Sequence, residues 1–215
     1  MIATLIDLFL HLDRHLAEAA AQYGTAVYGL LFAILFLETG VVVTPFLPGD
    51  SLLFACGALA ATGALDLRLL LLVIPAAVIL GDNTNYFIGR FIGPRAFTSK
   101  SRWLKREHLD RTHAFYERHG GKTIVMARFV PIVRTFAPFV AGIGRMAYGR
   151  FLAYSLGGGI LWVGVCIGAG YAFGNIPVVK ENFSIVVILI VAISVLPIAI
   201  EWLKHRKGSG TVSAK

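Results

Sequence analysis

Charge is scarce in this sequence. Only 15% of its 215 residues are Asp, Glu, Lys or Arg, against about 25% in an ordinary soluble domain, while 57% are hydrophobic. A chain of this length needs polar surface to cover an apolar core in water, and too few charged residues are present to supply it. An ordinary cytosolic enzyme and a disordered chain are both excluded, and the mean hydropathy of +0.74 fits an integral membrane protein. Cysteine is almost absent: Cys56 and Cys166 each lie in an apolar segment, where they read as small hydrophobes, so no disulfide or metal framework is implied. All six histidines (His11, His15, His108, His113, His119, His205) fall outside the apolar spans, which leaves no histidine for nucleophilic or acid–base chemistry inside the membrane. No enzymatic activity and no cofactor are therefore expected. A basic start followed by an apolar run and a small-residue cleavage site is also missing, so no removable signal peptide is expected.

What charge there is leans one way, with 20 Lys and Arg against 12 Asp and Glu. Nine basic residues (Arg90, Arg95, Lys100, Arg102, Lys105, Arg106, Arg111, Arg118, Lys122) share one stretch with only three acids, and Lys204, Arg206 and Lys207 follow the last apolar run. Both groups are expected in the cytoplasm, the stretch at about 93–122 against anionic lipid headgroups rather than nucleic acid.

The spacing predicts an amphipathic interfacial helix within 1–23, with Leu5, Leu8, Phe9, Leu12 and Leu16 opposite Asp7, His11, Arg14 and Glu18. A single membrane domain then fills 24–203. Gly24–Leu37 is apolar but falls short of the roughly 20 residues of a spanning helix, so it is expected to be extended by its neighbours into a crossing. Leu67–Ile92, Gly149–Gly174 and Phe183–Leu203 are long enough to cross. Between them lie two broken segments. Residues 38–64 carry Pro45, Pro48 and Gly49 as breaks, and residues 124–146 carry Pro131, Pro138 and Gly142. If 124–146 crossed as one helix, basic residues would flank both faces, so it reads as a re-entrant hairpin entered from the cytoplasm, and 38–64 as one entered from outside. The expectation is an all-α polytopic protein of about four transmembrane helices and two opposed re-entrant hairpins in an inverted repeat, with both termini cytoplasmic and a polar, disordered tail at 204–215.

Both breaks carry ionisable residues: Glu38 and Asp50 in the first, Arg128 and Arg134 in the second. A charged side chain at mid-membrane costs about 2.5–3.5 kcal/mol on insertion scales. If the hairpin tips meet, two carboxylates face two guanidinium groups and the cost is offset, but buried pairs are often replaceable by apolar residues, so stability alone is a poor reason to keep them. Arginine suits phosphate through its planar donor fork and permanent charge. A carboxylate in a dry site suits proton exchange, since desolvation favours its neutral form and a nearby guanidinium its charged form. Arg128 and Arg134 thus read as phosphate-binding, Glu38 and Asp50 as proton-coupling. Asp82, Tyr86 and Arg90 share one helix face, which reads either as a helix-end charge ladder or as lining for the substrate path.

Taken in order, Glu38, Pro45, Pro48, Gly49 and Asp50, then Gly81, Asp82, Tyr86, Gly89, Arg90 and Gly93, then Arg128, Phe129, Pro131, Arg134, Pro138, Ala141 and Gly142 resemble the DedA family, also called the SNARE-associated or VTT-domain family. The resemblance covers about residues 24–175. It implies a transporter of the bacterial cytoplasmic membrane with two opposed hairpins, linked to recycling of undecaprenyl phosphate and to proton-motive-force homeostasis, with lipid scramblases among eukaryotic relatives. The family's functional acidic pair falls on Glu38 and Asp50 and its arginine pair on Arg128 and Arg134. The reading is proton-coupled movement of a lipid phosphate; the alternatives are a small-ion or drug antiporter and a general phospholipid scramblase. Gly157, Gly158, Gly159, Gly164, Gly168 and Gly170 allow close helix packing, within one chain or in a homo-oligomer.

Overall fold

The computed structural model describes residues 12–40, 49–96, 121–128, 131–183, 185, 186 and 188–190, and every regular element among them is helical. Helix α1 (Leu12–Tyr23) is followed by α2 (Ala26–Gly40), α3 (Gly49–Ala61), α4 (Leu67–Ala96), α5 (Lys122–Ala127), α6 (Pro131–Ile143), α7 (Tyr148–Phe173) and the short α8 (Pro177–Glu181). The breaks Pro45 and Pro48, most of the basic stretch, most of the run 183–203 and the tail 204–215 lie outside the described residues.

Two segments, Leu67–Ile92 and Tyr148–Phe173, are long and apolar enough to cross a membrane, at 26 residues each. At about 1.5 Å per residue each exceeds the roughly 30 Å hydrocarbon core. Ala26–Gly40, Gly49–Ala61 and Val133–Ile143 are apolar but shorter. Large hydrophobic side chains such as Leu72, Phe91, Ile160 and Val165 point outward. The buried polar groups, Glu38, Asp82, Asn85, Arg128, Arg134 and Ser155, point inward, the reverse of a soluble protein.

Local sequence sets the helix ends. Gly24, at φ +55°, turns the chain between α1 and α2 through a backbone region that a side chain would strain. Asp66 starts α4 by accepting the Arg68 and Leu69 amides on Oδ1 at 2.7 and 3.3 Å, the usual N-cap arrangement.

Contacts between the elements fix how these helices run. Tyr148 donates to Asn83 and Ser155 to Asp82, while Gly159 lies beside Val78, so α4 and α7 are antiparallel. The Asp66 amide donates to Tyr28 Oη at 2.7 Å, and Gly40 packs on Gly81, so α2 starts level with α4, runs parallel to it and stops at its midpoint. In the same way Gly121 lies against Tyr154 and Arg128 against Gly158, so α5 runs parallel to the first part of α7. The second arms then exchange. Helix α3 runs along the far half of α7, with Gly57 on the backbone of Ile167 and Tyr171 and Gly170 on Phe54. Helix α6 runs along the far half of α4, with Gly142 on Tyr86 and Arg90 and Gly89 on Phe139. Two helical pairs, α2–α3 and α5–α6, therefore enter the α4–α7 pair from opposite ends.

This arrangement corrects three expectations. Residues 24–37 are not extended into a crossing: α2 has 15 residues, and a crossing would have carried Tyr28 to the end opposite Asp66 rather than into hydrogen bond with it. The first helical pair accordingly comprises α2 and α3, beginning at Ala26 and not at residue 38. Helix α1 joins α2 directly and so lies at the end of α4 where α4 begins; residues 1–11 themselves are outside the described residues. Pro138 and Gly142 are not breaks either. Helix α6 continues through both, because a membrane helix buried in protein tolerates a missing amide and Gly142 serves the contact with α4.

Two outcomes follow. In a background with Cys56 and Cys166 replaced, Tyr23→Cys and Ala64→Cys should react with a membrane-impermeant maleimide from one face and Lys122→Cys from the other; labelling of Tyr23→Cys together with Lys122→Cys would contradict the arrangement. A methyl group at Gly142 would meet the Tyr86 carbonyl, so Gly142→Ala should lose about 1–3 kcal/mol of stability in detergent melts. Gly164→Ala, with open space around it, should melt as the wild type does.

Candidate functional site

Glu38 stands in the last turn of α2, Asp50 in the first turn of α3, Arg128 caps the end of α5, and Arg134 is in the first turn of α6. Each is at a helix end that stops level with the middle of the long helices, so the four ends converge inside the bundle. Helix ends expose backbone groups with no partner in their own helix. Asn85 of α4 serves one of them, donating through Nδ2 to the Thr39 carbonyl at 3.1 Å, and also donates to the Thr135 carbonyl at 2.7 Å, which ties the end of α2 to the start of α6.

Arg134 is the centre of the first cluster. Its Nη2 donates to Glu38 Oε1 at 2.6 Å and its Nη1 to Asp50 Oδ1 at 2.7 Å. Trp162 Nε1 donates to the same Asp50 oxygen at 2.8 Å, and the Trp162 ring lies 4.5 Å from the guanidinium carbon in a cation–π contact. Glu38 and Arg134 are buried, whereas the Asp50 side chain keeps 22% of its surface exposed and forms the accessible edge of the cluster. Gly49 leaves the space that the Glu38 carboxylate occupies, since a Cβ there would overlap it. The carboxylate thus faces the N-terminus of α3, a favourable end for negative charge.

Arg128 forms a second cluster. Its Nη2 donates to Asp82 Oδ2, to the Ser155 carbonyl at 3.0 Å and to Ser155 Oγ at 3.1 Å, while Ser155 Oγ donates to Asp82 Oδ2 at 2.5 Å. Asp82, Arg128 and Ser155 are all buried. Among the described residues, Arg128 Nε and Nη1, Arg134 Nε, Glu38 Oε2 and Asn85 Oδ1 are buried with no hydrogen-bond partner. Buried polar atoms are ordinarily satisfied, so unused donors on two guanidinium groups leave capacity for a further acceptor.

The acids and arginines of the two breaks do meet, but not two on two. Arg134 takes both Glu38 and Asp50, and Arg128 takes Asp82. Asp82 is consequently not part of a helix-end charge ladder: it lies at the middle of α4, and its ion pair reaches across to α5. Tyr86 and Arg90 do pair on their shared face, with Arg90 Nη1 donating to Tyr86 Oη at 2.7 Å and Tyr86 Oη donating to the Met146 carbonyl at 2.5 Å. Buried Tyr86 also stacks on Phe151 at 4.3 Å, which locks the start of α7 onto α4. Trp162 and Ser155 escaped the sequence reading. The available signal was chemical: an indole N–H and a hydroxyl inside an apolar span each need a partner there.

Removing the arginine of the first cluster would strand two carboxylates. Arg134→Gln is expected to cost about 3–5 kcal/mol in thermal or denaturant unfolding in detergent. Trp162→Phe keeps an aromatic face beside Arg134 but loses the indole N–H bond to Asp50 and the five-membered ring, at about 1.5–3 kcal/mol for the hydrogen bond to a charged group. Equal losses for the two variants would contradict an Arg134-centred cluster.

The VTT domain family matches residues 47–172, which contain Asp50, Asp82, Arg128, Arg134 and Trp162. The chain is similar to Protein DedA of Escherichia coli K12, at 52% identity over 212 residues and 97% of each chain. An uncharacterized membrane protein of Mycobacterium tuberculosis is 43% identical over 183 residues, covering 83% of this chain and 80% of the relative. The inner membrane protein YghB of E. coli K12 is 36% identical over 204 residues, covering 93% and 91%. No solved structure matches. With the family pattern over more than half its length and relatives aligned almost end to end, the chain belongs to the DedA family of VTT-domain proteins and is a helical protein of the bacterial inner membrane.

Proposed function

We propose that this protein transports a lipid phosphate, undecaprenyl phosphate in the first instance, between the leaflets of the cytoplasmic membrane, with protons as the coupled ion. The observation that carries the reading is the pair of buried guanidinium groups at mid-depth with unused N–H donors. A permanently charged, bidentate donor in a dry setting binds phosphate oxygens strongly, and the lipid tail can stay in the bilayer while the headgroup enters between helices. Glu38 and Asp50 neutralise Arg134 when no headgroup is present. Protonation of either releases the guanidinium for phosphate, and this is the route by which a proton gradient would drive movement.

On this reading α2–α3 and α5–α6 are re-entrant hairpins in an inverted repeat, while α4, α7 and the apolar run toward Leu203 are the crossings, which keeps Lys204, Arg206 and Lys207 cytoplasmic. The opposite entry of the two pairs supports it. A cation antiporter is less well supported, because among the described residues three buried guanidinium nitrogens lack a partner against one buried carboxylate oxygen, Glu38 Oε2.

Purified protein in liposomes should accelerate transbilayer movement of undecaprenyl phosphate, the rate should respond to an imposed pH gradient, and Arg134→Ala should abolish it. Movement no faster than in protein-free liposomes, from protein shown to be folded, would overturn the reading.

A further inference from the structure

The two clusters contain three carboxylates and two guanidinium groups, so with every group ionised the centre of the bundle carries one excess negative charge. A phosphate anion added to that centre makes the imbalance worse. In a dry site the imbalance is relieved by protons, and geometry says where one of them goes.

Asp82 holds Arg128 as a headgroup would. It engages one nitrogen, Nη2, which it shares with Ser155, and leaves Nε and Nη1 empty. Gly158 and Gly159 keep the helix face beside that guanidinium bare: a Cβ at Gly158 would lie 3.1 Å from Arg128 Cδ and Nε, and one at Gly159 would lie 3.5 Å from Nη2. Ser155 supplies the rest of the device. Its hydroxyl donates to the Asp82 carboxylate at 2.5 Å, and a hydroxyl can turn from donor to acceptor, so the same contact serves a neutral carboxyl group donating back to Ser155 Oγ.

We propose that Asp82 is the internal occupant of the Arg128 phosphate site and exchanges with the headgroup as a neutral acid, taking up a proton at its own carboxylate for each phosphate bound. The inference rests on the phosphate reading above and adds a third coupling residue to it. The step balances: a phosphate oxygen replaces Asp82 Oδ2 on Arg128 Nη2, a proton from bulk water joins the Asp82 carboxylate, and both leave when the headgroup departs. The groups facing this level from the other helices are Arg128 of α5, Arg134 of α6, Ser155 of α7, Glu38 of α2 and Asp50 of α3. The two arginines favour the charged form of Asp82 while the site is empty, and the arriving phosphate cancels that influence. Asp82 is a positioning and proton-carrying residue here, distinct from the acids on Arg134.

The test uses the full-length protein in lipid nanodiscs titrated with dodecyl phosphate, and in parallel with inorganic phosphate. Calorimetry at one pH in two buffers of unlike ionisation enthalpy gives the protons taken up per ligand. Wild-type protein should take up protons on binding, and Asp82→Asn should bind at least as tightly while taking up about one proton fewer, the single carboxylate removed. An unchanged proton count in Asp82→Asn, with binding still abolished by Arg134→Ala, overturns the Asp82 inference and leaves the phosphate site standing. Binding indifferent to both Arg128→Gln and Arg134→Ala overturns the phosphate site itself. Equal responses to the two ligands support the exchange for phosphate generally, and a preference for dodecyl phosphate supports it for a lipid headgroup. Should Asp82→Asn not fold, the infrared difference spectrum of ligand binding replaces it. A protonated-carboxyl band gained in the wild type and shifted in Asp82→Glu supports the exchange, and no gained band overturns it.

Discussion

Arg134 holds two carboxylates that belong to different helices, neither of them its own. The rest of the structure depends on this contact, because each of the three residues sits at a helix end that would otherwise stop in the interior with exposed backbone groups and an unpaired charge. Helix α2 brings Glu38, α3 brings Asp50, α6 brings Arg134, and Trp162 of α7 closes the set from the side. A buried pair of this kind is weak evidence for stability, since apolar residues of the same volume often do as well. On the proposed reading, its place at the meeting point of the short helices is explained by what a guanidinium between two acids can do: change partner when either acid gains a proton.

Close backbone contact is what allows the short helices to arrive there. Glycine meets backbone at matched places, Gly57 and Gly170 between α3 and α7, and Gly142 and Gly89 between α6 and α4. In an apolar solvent there is little hydrophobic gain in bringing helices together, so tight packing through small residues carries much of the association. The consequence is topological. Each half of the chain lends its second arm to the long helix of the other half, so the halves interlock and neither can form the central clusters alone.

The class of protein was legible from the shortage of charge, and four members of the central ion-pair clusters from charge in the wrong place: Glu38, Asp50, Arg128 and Arg134 in apolar sequence broken by prolines. Depth was not legible. Hydropathy reports that Gly24–Leu37 is apolar, but a helix that crosses and one that stops midway have the same composition; the bond between Tyr28 and Asp66 and the contact of Gly40 with Gly81 separate them. Proline was over-read for a related reason, since Pro131 opens α6 and Pro138 lies inside it, and only the surrounding protein determines which of these a proline does. The partner of Arg128 was hidden because ion pairs between segments 46 residues apart leave no local pattern, and Asp82 could be read equally well as the end of a surface ladder.

The two arginine clusters are unlike in access, and that difference bears on how a transporter of this design would work. Asp50 keeps part of its surface open, so the Arg134 cluster has an edge from which a proton or an anion can enter. Arg128 and Asp82 are enclosed, with Ser155 and two glycines of α7 against them. If the two clusters were equal in access, both would open together and, on the proposed reading, a leak path would join the two faces. Both arginines come from the α5–α6 pair, Arg134 reaching the acids of α2 and α3 and Arg128 the acid of α4, and on the proposed reading these unlike partners give a transporter two unequal states, one with each cluster sealed. On the proposed reading the structure corresponds to one of them, with Arg128 occupied internally and Arg134 poised at the open edge, and transport consists of exchanging those roles.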